Sequence, residues 1–92
     1  MAYQFDWDDE KAADNLLKHG VSFEEAVEVF HDSLAIEMSD PAHSAEESRR
    51  LAIGVSGDFR LIVVAYVERP PHTRIITARL ATKSERRTYE EE

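Results

Sequence analysis

The spacing of hydrophobic and polar positions changes several times along the chain, and each change marks a boundary between elements. Tyr3, Phe5 and Trp7 alternate with Gln4 and Asp6, the period of two shown by a short strand with an aromatic face. Asp8 follows as an N-cap, Asp9 and Glu10 place negative charge in a first turn, and Ala12, Ala13, Leu16 and Leu17 form an apolar stripe ending at Lys18-His19-Gly20. This predicts a helix over about 9–19. Ser22-Phe23-Glu24-Glu25 has the form of a capping box, and Phe23, Ala26, Val27 and Phe30 keep helical spacing, so a second short helix to about residue 31 should form a hairpin with the first across Gly20.

Beyond Ser33 the pattern is extended. Leu34, Ile36 and Met38 alternate with Ala35, Glu37 and Ser39 until Asp40-Pro41 breaks the run, and a polar segment continues from Ala42 to Arg50. Two apolar runs, residues 51–56 and 60–67, flank Gly57-Asp58, which is the chemistry of a tight antiparallel hairpin. Arg69-Pro70-Pro71-His72 reads as a turn and residues 74–81 as another strand. Residues 82–90 read as a final helix opened by a Thr82/Glu85 capping box. The order β-α-α-β-β-β-β-α with short links predicts one α+β domain, an antiparallel sheet with helices packed on one face.

Composition narrows the class. Ninety-two residues with 42% hydrophobic and 33% charged positions suit one soluble core. No apolar run approaches the roughly 18 residues of a membrane helix. The first residues lack a basic start and an apolar stretch, so the expectation is a cytoplasmic protein without membrane contact. The absence of cysteine excludes disulfides, thiolate metal sites and a cysteine nucleophile. His19, His31, His43 and His72 lack the close spacing of helical ligands, and no metal or other cofactor is expected.

A net charge of −8 argues against a nucleic-acid partner until its distribution is considered. Residues 1–48 carry 13 Asp/Glu and 2 Lys, whereas residues 49–89 carry 9 Lys/Arg and 3 Asp/Glu. Eight of those nine cations are arginines, whose planar fork suits bidentate phosphate contacts.

Nearly the whole chain resembles the BrnT family of toxins. The resemblance rests on three blocks in order. The first is Phe5-x-Trp7-Asp8-x-x-Lys11, Asn15-x-x-Lys18-His19-Gly20-Val21-Ser22-Phe23-Glu24-Glu25-Ala26 and Val29-Phe30-x-Asp32; the second is Asp40, His43-Ser44, Glu47-x-Arg49 and Ile53-Gly54-x-Ser56. The third is Tyr66-x-x-Arg69, Arg74-Ile75-Ile76-x-Ala78-Arg79-x-Ala81 and Glu85-Arg86-x-x-Tyr89-Glu90. The resemblance implies a RelE-like fold and RNA cleavage that arrests translation. It also implies a cognate antitoxin with a ribbon-helix-helix DNA-binding region, so that DNA is contacted only through the complex. A homodimer and a toxin–antitoxin heterotetramer are both open as assemblies.

Metal-free RNA cleavage needs a proton acceptor for the 2′-OH, a donor for the departing 5′-oxygen and fixed positive charge for the phosphorane oxygens. Arg69 and Arg79 are the first candidates for that charge. Strand alternation would put Arg79 on the face of Ile75 and Thr77, and Arg69 closes a strand beside Pro70-Pro71. Both could equally be solvated arginines paired with Glu68 or Glu85. Lys18, His19 and Glu47 are candidates for proton transfer, although cations in a last helical turn are also favoured by the helix dipole alone. Arg49, Tyr66, Arg86, Tyr89 and His43 are candidates for substrate binding. For Tyr66 the alternative is a core tyrosine with a satisfied hydroxyl, for Arg86 and Tyr89 a solvated helix face, and for His43 and Glu47 an exposed loop. Trp7 and Phe5 belong to the core or to an antitoxin interface. Two other functions fit the same residues: a module that has lost cleavage and binds operator DNA with its antitoxin, and an enzyme acting on small phosphate substrates.

Overall fold

The structure, a computed structural model, describes residues 4–42 and 48–91. Its elements are β1 (Gln4–Asp6), α1 (Asp9–His19), α2 (Phe23–Val29), β2 (Ile36–Ser39), β3 (Arg49–Val55), β4 (Leu61–Arg69), β5 (His72–Leu80) and α3 (Lys83–Glu90). The five strands form one sheet in the order β1-β5-β4-β3-β2. Neighbours are antiparallel except β1, which runs parallel to β5 over three residue pairs, Gln4↔His72 to Asp6↔Arg74. The α1–α2 hairpin carries the chain from that edge to the opposite edge at β2, so no tight turn dictates the direction of β1.

The central strand β4 organises the core. Leu61 through Val67 are all buried, and a strand apolar on both faces needs cover on both. Ile62, Val64 and Tyr66 face Val21, Phe23, Ala26 and Val29, with Phe5, Trp7 and Phe30 at the margin. Leu61 and Val63 face the other way, toward Ile53, with Met38, Leu51, Val55, Ala81 and Tyr89 around them. Thus α1 and α2 cover one face, while α3 lies against the other through Tyr89. The expectation that every helix packs on one face is corrected by the two-sided apolarity of β4. Helix α3 itself buries no residue and leaves part of its face uncovered.

Two local expectations also change. The apolar stripe of α1 points inward only at Ala12, which packs against the core: Leu16 is 51% and Leu17 86% exposed, and the residue that α1 buries is Asn15. The Asn15 side-chain amide donates to the Val21 carbonyl at 2.9 Å and the Ala78 carbonyl at 2.7 Å, and its oxygen accepts the Ala78 N–H at 3.1 Å. Because β1 pairs with β5 only at residues 72–74, the carboxamide supplies at Ala78 the hydrogen bonds that a neighbouring strand would have made. In the β3–β4 hairpin, Ser56 N–H donates to the Arg60 carbonyl and Phe59 N–H to the Ser56 carbonyl, both at 2.9 Å. Phe59, with φ 61°, takes the left-handed position expected of Gly57. The turn therefore closes over three residues.

The Ser22 cap forms only in half. Ser22 Oγ accepts Glu25 N–H at 3.0 Å. The Glu25 carboxylate instead binds Ser56 Oγ at 2.7 Å and the Arg60 guanidinium, tying α2 to the hairpin. The arginine holds the Glu25 carboxyl below its ordinary range.

Candidate functional site

The face that α3 only partly covers carries four of the eight arginines in the basic half of the chain. Strand registers set Arg79 opposite Val63, and Arg49 and Arg74 opposite Val67 from its two sides; Arg69 lies two positions beyond Val67. Side chains two apart share a face, so all four arginines belong to the face of Leu61 and Val63. One irregularity makes this so. A bulge opposite Ala65/Tyr66 leaves Ile76 without a partner between Tyr66↔Ile75 and Ala65↔Thr77. Ile75 consequently joins the α2-side core, while Thr77 and Arg79 are turned to the open face. Simple alternation would have kept Ile75 with them.

Two adjoining clefts follow the β5 edge. One, of about 190 Å³, is lined by Asp40, Ala42, Arg49, Leu51, Val63, Ala65, Thr77 and Arg79. The other, of about 310 Å³, is lined by Lys11, Asp14, Asn15, Lys18, His19, Arg49, Ile76 and Thr77. Arg49 and Thr77 belong to both, so the clefts read as one groove with strand arginines on its floor and the end of α1 as its wall. The Asp8 cap, which accepts Glu10 N–H at 2.9 Å and Lys11 N–H at 3.1 Å, and the left-handed Gly20 at φ 67° fix both ends of α1. Asn15 pins its middle to β5. Lys11, Asp14 and Lys18 thereby share one helical flank toward the groove. Arg49 Nε is buried without a hydrogen-bond partner among the described residues.

Arg79 is held differently. Its Nη1 and Nη2 donate to the two Glu85 carboxylate oxygens at 2.7 and 2.8 Å. This paired guanidinium pulls the Glu85 carboxyl down to about 2, against the opposing effect of burial. Among the described residues no three His, Asp or Glu side chains are grouped as a metal-ligand set.

The groove thus brings together Lys18, His19, Arg49 and Arg79. Arg69 shares their sheet face at the exposed end of β4. Tyr66 is on the opposite face, with its hydroxyl bonded to Glu37 and Arg50; burial, then the Glu37 bond, pushes it well above the ordinary tyrosine range. Tyr89 is the α3 residue that packs against Ile53, Leu61 and Val63, and it donates to Asp32 Oδ2 at 2.6 Å, a bond that moves its hydroxyl to about 12. Arg86 is exposed on α3, 3.9 Å from Glu90. His43 and Glu47 lie outside the described residues. The groove also contains Lys11, Asp40 and Thr77, which were not among the candidates. The spacing of 11, 14 and 18 on one helix face was a usable signal for Lys11, whereas Thr77 depended on the bulge.

Fold and groove together define a small α+β protein with a cationic, groove-bearing sheet face. The sequence model of the family described as "Ribonuclease toxin, BrnT, of type II toxin-antitoxin system" matches residues 7–85, and the chain belongs to this family. Ribonuclease activity and an antitoxin partner come with that membership. The fold is similar to the 1.1 Å crystal structure of the Brucella abortus ribonuclease toxin, BrnT, with a TM-score of 0.69 and 22% identity over 89% of this chain and 100% of that one. No curated protein matches the chain. Among the described residues no helix is long and apolar enough to cross a membrane.

Proposed function

We propose that the groove is the RNA-cleavage site, that cleavage needs no metal, and that it arrests translation until a cognate antitoxin neutralises the toxin. The observation that carries this reading is that Arg49 and Thr77 line both the cleft that holds Lys18 and His19 from α1 and the cleft that holds Arg79 from the sheet. In the proposed reaction the RNA 2′-oxygen attacks the adjacent phosphorus as its proton passes to a base. The P–O5′ bond breaks, and the 5′-oxygen leaves with a proton from an acid, giving a 2′,3′-cyclic phosphate and a 5′-hydroxyl. Arg49 and Arg79 stabilise the phosphorane oxygens, with Arg69 holding a flanking phosphate. His19, Lys18 and Glu47 are the groups for the two proton transfers. Arg86 would contact RNA from α3 and His43 is kept as a substrate-binding residue on the family resemblance alone; Tyr66 and Tyr89 are assigned to the fold.

Purified protein incubated with RNA in the presence of EDTA tests this reading. Wild type yields cyclic-phosphate ends, and Arg79→Ala, equally folded, loses about 10²–10³ in rate. Intact RNA under these conditions, with no toxicity on expression, returns the protein to the reading of an antitoxin-dependent operator-binding module.

The partner reading rests on the flank of α1 that is turned away from the groove. Helix α1 exposes Leu16 and Leu17 next to Asp9, Glu10 and Ala13, and an apolar stripe with an acidic rim suits a basic amphipathic strand or helix of the antitoxin. Its ribbon-helix-helix region would then supply the DNA contact, and a pair of such regions a heterotetramer.

A further inference from the structure

We infer that Glu85 is a positioning residue for Arg79, holding the guanidinium end-on so that its Nε–Nη2 edge is the one presented to RNA phosphate. The inference rests on the groove being the cleavage site. A guanidinium has five N–H donors in one plane. Glu85 takes one hydrogen of each terminal nitrogen, at 2.7 and 2.8 Å, and Nη1 is also directed at the Leu80 carbonyl at 3.4 Å. The donors with no such partner among the described residues are Nε–H and the outer Nη2 hydrogen. These lie side by side on one edge and form a second fork, matched to two phosphate oxygens.

The carboxylate is itself held. Thr82 N–H donates to Glu85 Oε1 at 2.8 Å, and Glu85 N–H donates to Thr82 Oγ1 at 3.2 Å, closing a capping box at the start of α3. Glu85 therefore orders the helix terminus and the arginine at once. Its side chain is 23% exposed and that of Arg79 39%, so the paired guanidinium stays partly open to solvent in a cleft that Asp40 also lines. A freely rotating arginine would lose rotamer entropy when phosphate binds. One clamped in advance loses less, and its charge is aligned before the phosphorane forms.

The sign of the effect separates this from competition, in which Glu85 would occupy donors that phosphate needs. Glu85→Gln keeps the capping box, since Gln serves there as Glu does, but its amide N–H₂ opposes one guanidinium N–H₂. With an RNA oligonucleotide, Glu85→Gln should lower kcat by about 10–100-fold with little change in KM, assayed well below a melting transition that is lowered by loss of the ion pair but stays cooperative. In an Arg79→Lys background, where no fork exists to be clamped, the same change should have little further effect. Activity of Glu85→Gln equal to or above wild type, in a folded protein, overturns the inference. Nitrogen-15 NMR of the Arg79 side chain reads the clamp without catalysis, with inorganic phosphate as probe. Phosphate should shift the Nε–H resonance in wild type and do so more weakly in Glu85→Gln; equal titrations in the two proteins overturn the inference even if wild type cleaves no RNA, an outcome that would sink the nuclease reading separately.

Discussion

Asn15 is the residue whose role most exceeds its appearance in the sequence. In the Lys18-His19-Gly20 helix it looks like a solvent-facing polar position, yet its amide completes the edge of β5 and holds α1 against the groove. Removing it leaves the Ala78 N–H and two carbonyls without partners, and each buried unsatisfied group costs about 1–3 kcal/mol. Asn15→Ala should therefore destabilise the protein by about 3 kcal/mol or more, read as a lower urea midpoint; a shift under about 0.5 kcal/mol would show that water replaces the amide freely. Glu85 makes a pH-dependent contribution whose sign follows from its partner. Its folded-state value of about 2 lies below the ordinary 4.5, so the native state binds its proton less readily than the unfolded chain. The stabilisation is complete above about pH 4.5 and is lost as the pH falls toward 2. Acid unfolding of Glu85→Gln should lack this component, and identical acid profiles for the two proteins would contradict it.

At the scale of elements, strand and helix order was legible because the periods change cleanly: buried continuity in β4 and capping signals at Asp8 and Thr82 appear as expected, and the alternation expected from Leu34 holds over Ile36–Ser39, with Leu34 itself exposed. The orientation of α1 was not legible. Four apolar residues on a helix ordinarily face the core, but here Ala12 packs against it while Leu16 and Leu17 are exposed, and Asn15 determines which flank of α1 is turned inward. Leu17 is consequently free of packing, and Leu17→Lys should change stability by less than about 0.5 kcal/mol. The same substitution should weaken antitoxin binding measured by calorimetry, because it places a cation and a polar group in the apolar stripe. Unchanged affinity would move the docking surface elsewhere. Helix α3 is the converse case, a polar helix with no buried residue whose Tyr89 hydroxyl and Glu85 carboxylate attach it to Asp32 and Arg79.

For the whole molecule, the charge asymmetry along the chain becomes an asymmetry of faces. The acidic N-terminal half builds the α1–α2 layer, while Arg49, Arg69, Arg74 and Arg79 share the opposite sheet face. A net charge of −8 is thus compatible with local attraction for RNA. If all four arginines contact phosphates, single-stranded RNA affinity should fall with salt at a log–log slope of about −3. A slope near zero would mean that the face does not bind the backbone. In the proposed reading, RNA would follow the arginine face and the groove beside α1, and the antitoxin would take the outward flank of α1.

The sequence alone determined the elements, their order, the α+β class and the family, because capping residues, hydrophobic period and ordered motifs are local properties that survive without tertiary contacts. It also marked Lys18, His19, Arg49 and Arg79 as candidates. Only the tertiary structure decided that these four line one groove, that Tyr66 and Tyr89 are engaged by Glu37 and Asp32, and that Arg79 meets Glu85. The reason is that a one-residue bulge between Ile75 and Thr77 exchanges the faces of everything beyond it, and strand register is set by pairing between distant segments rather than by the residues of the strand.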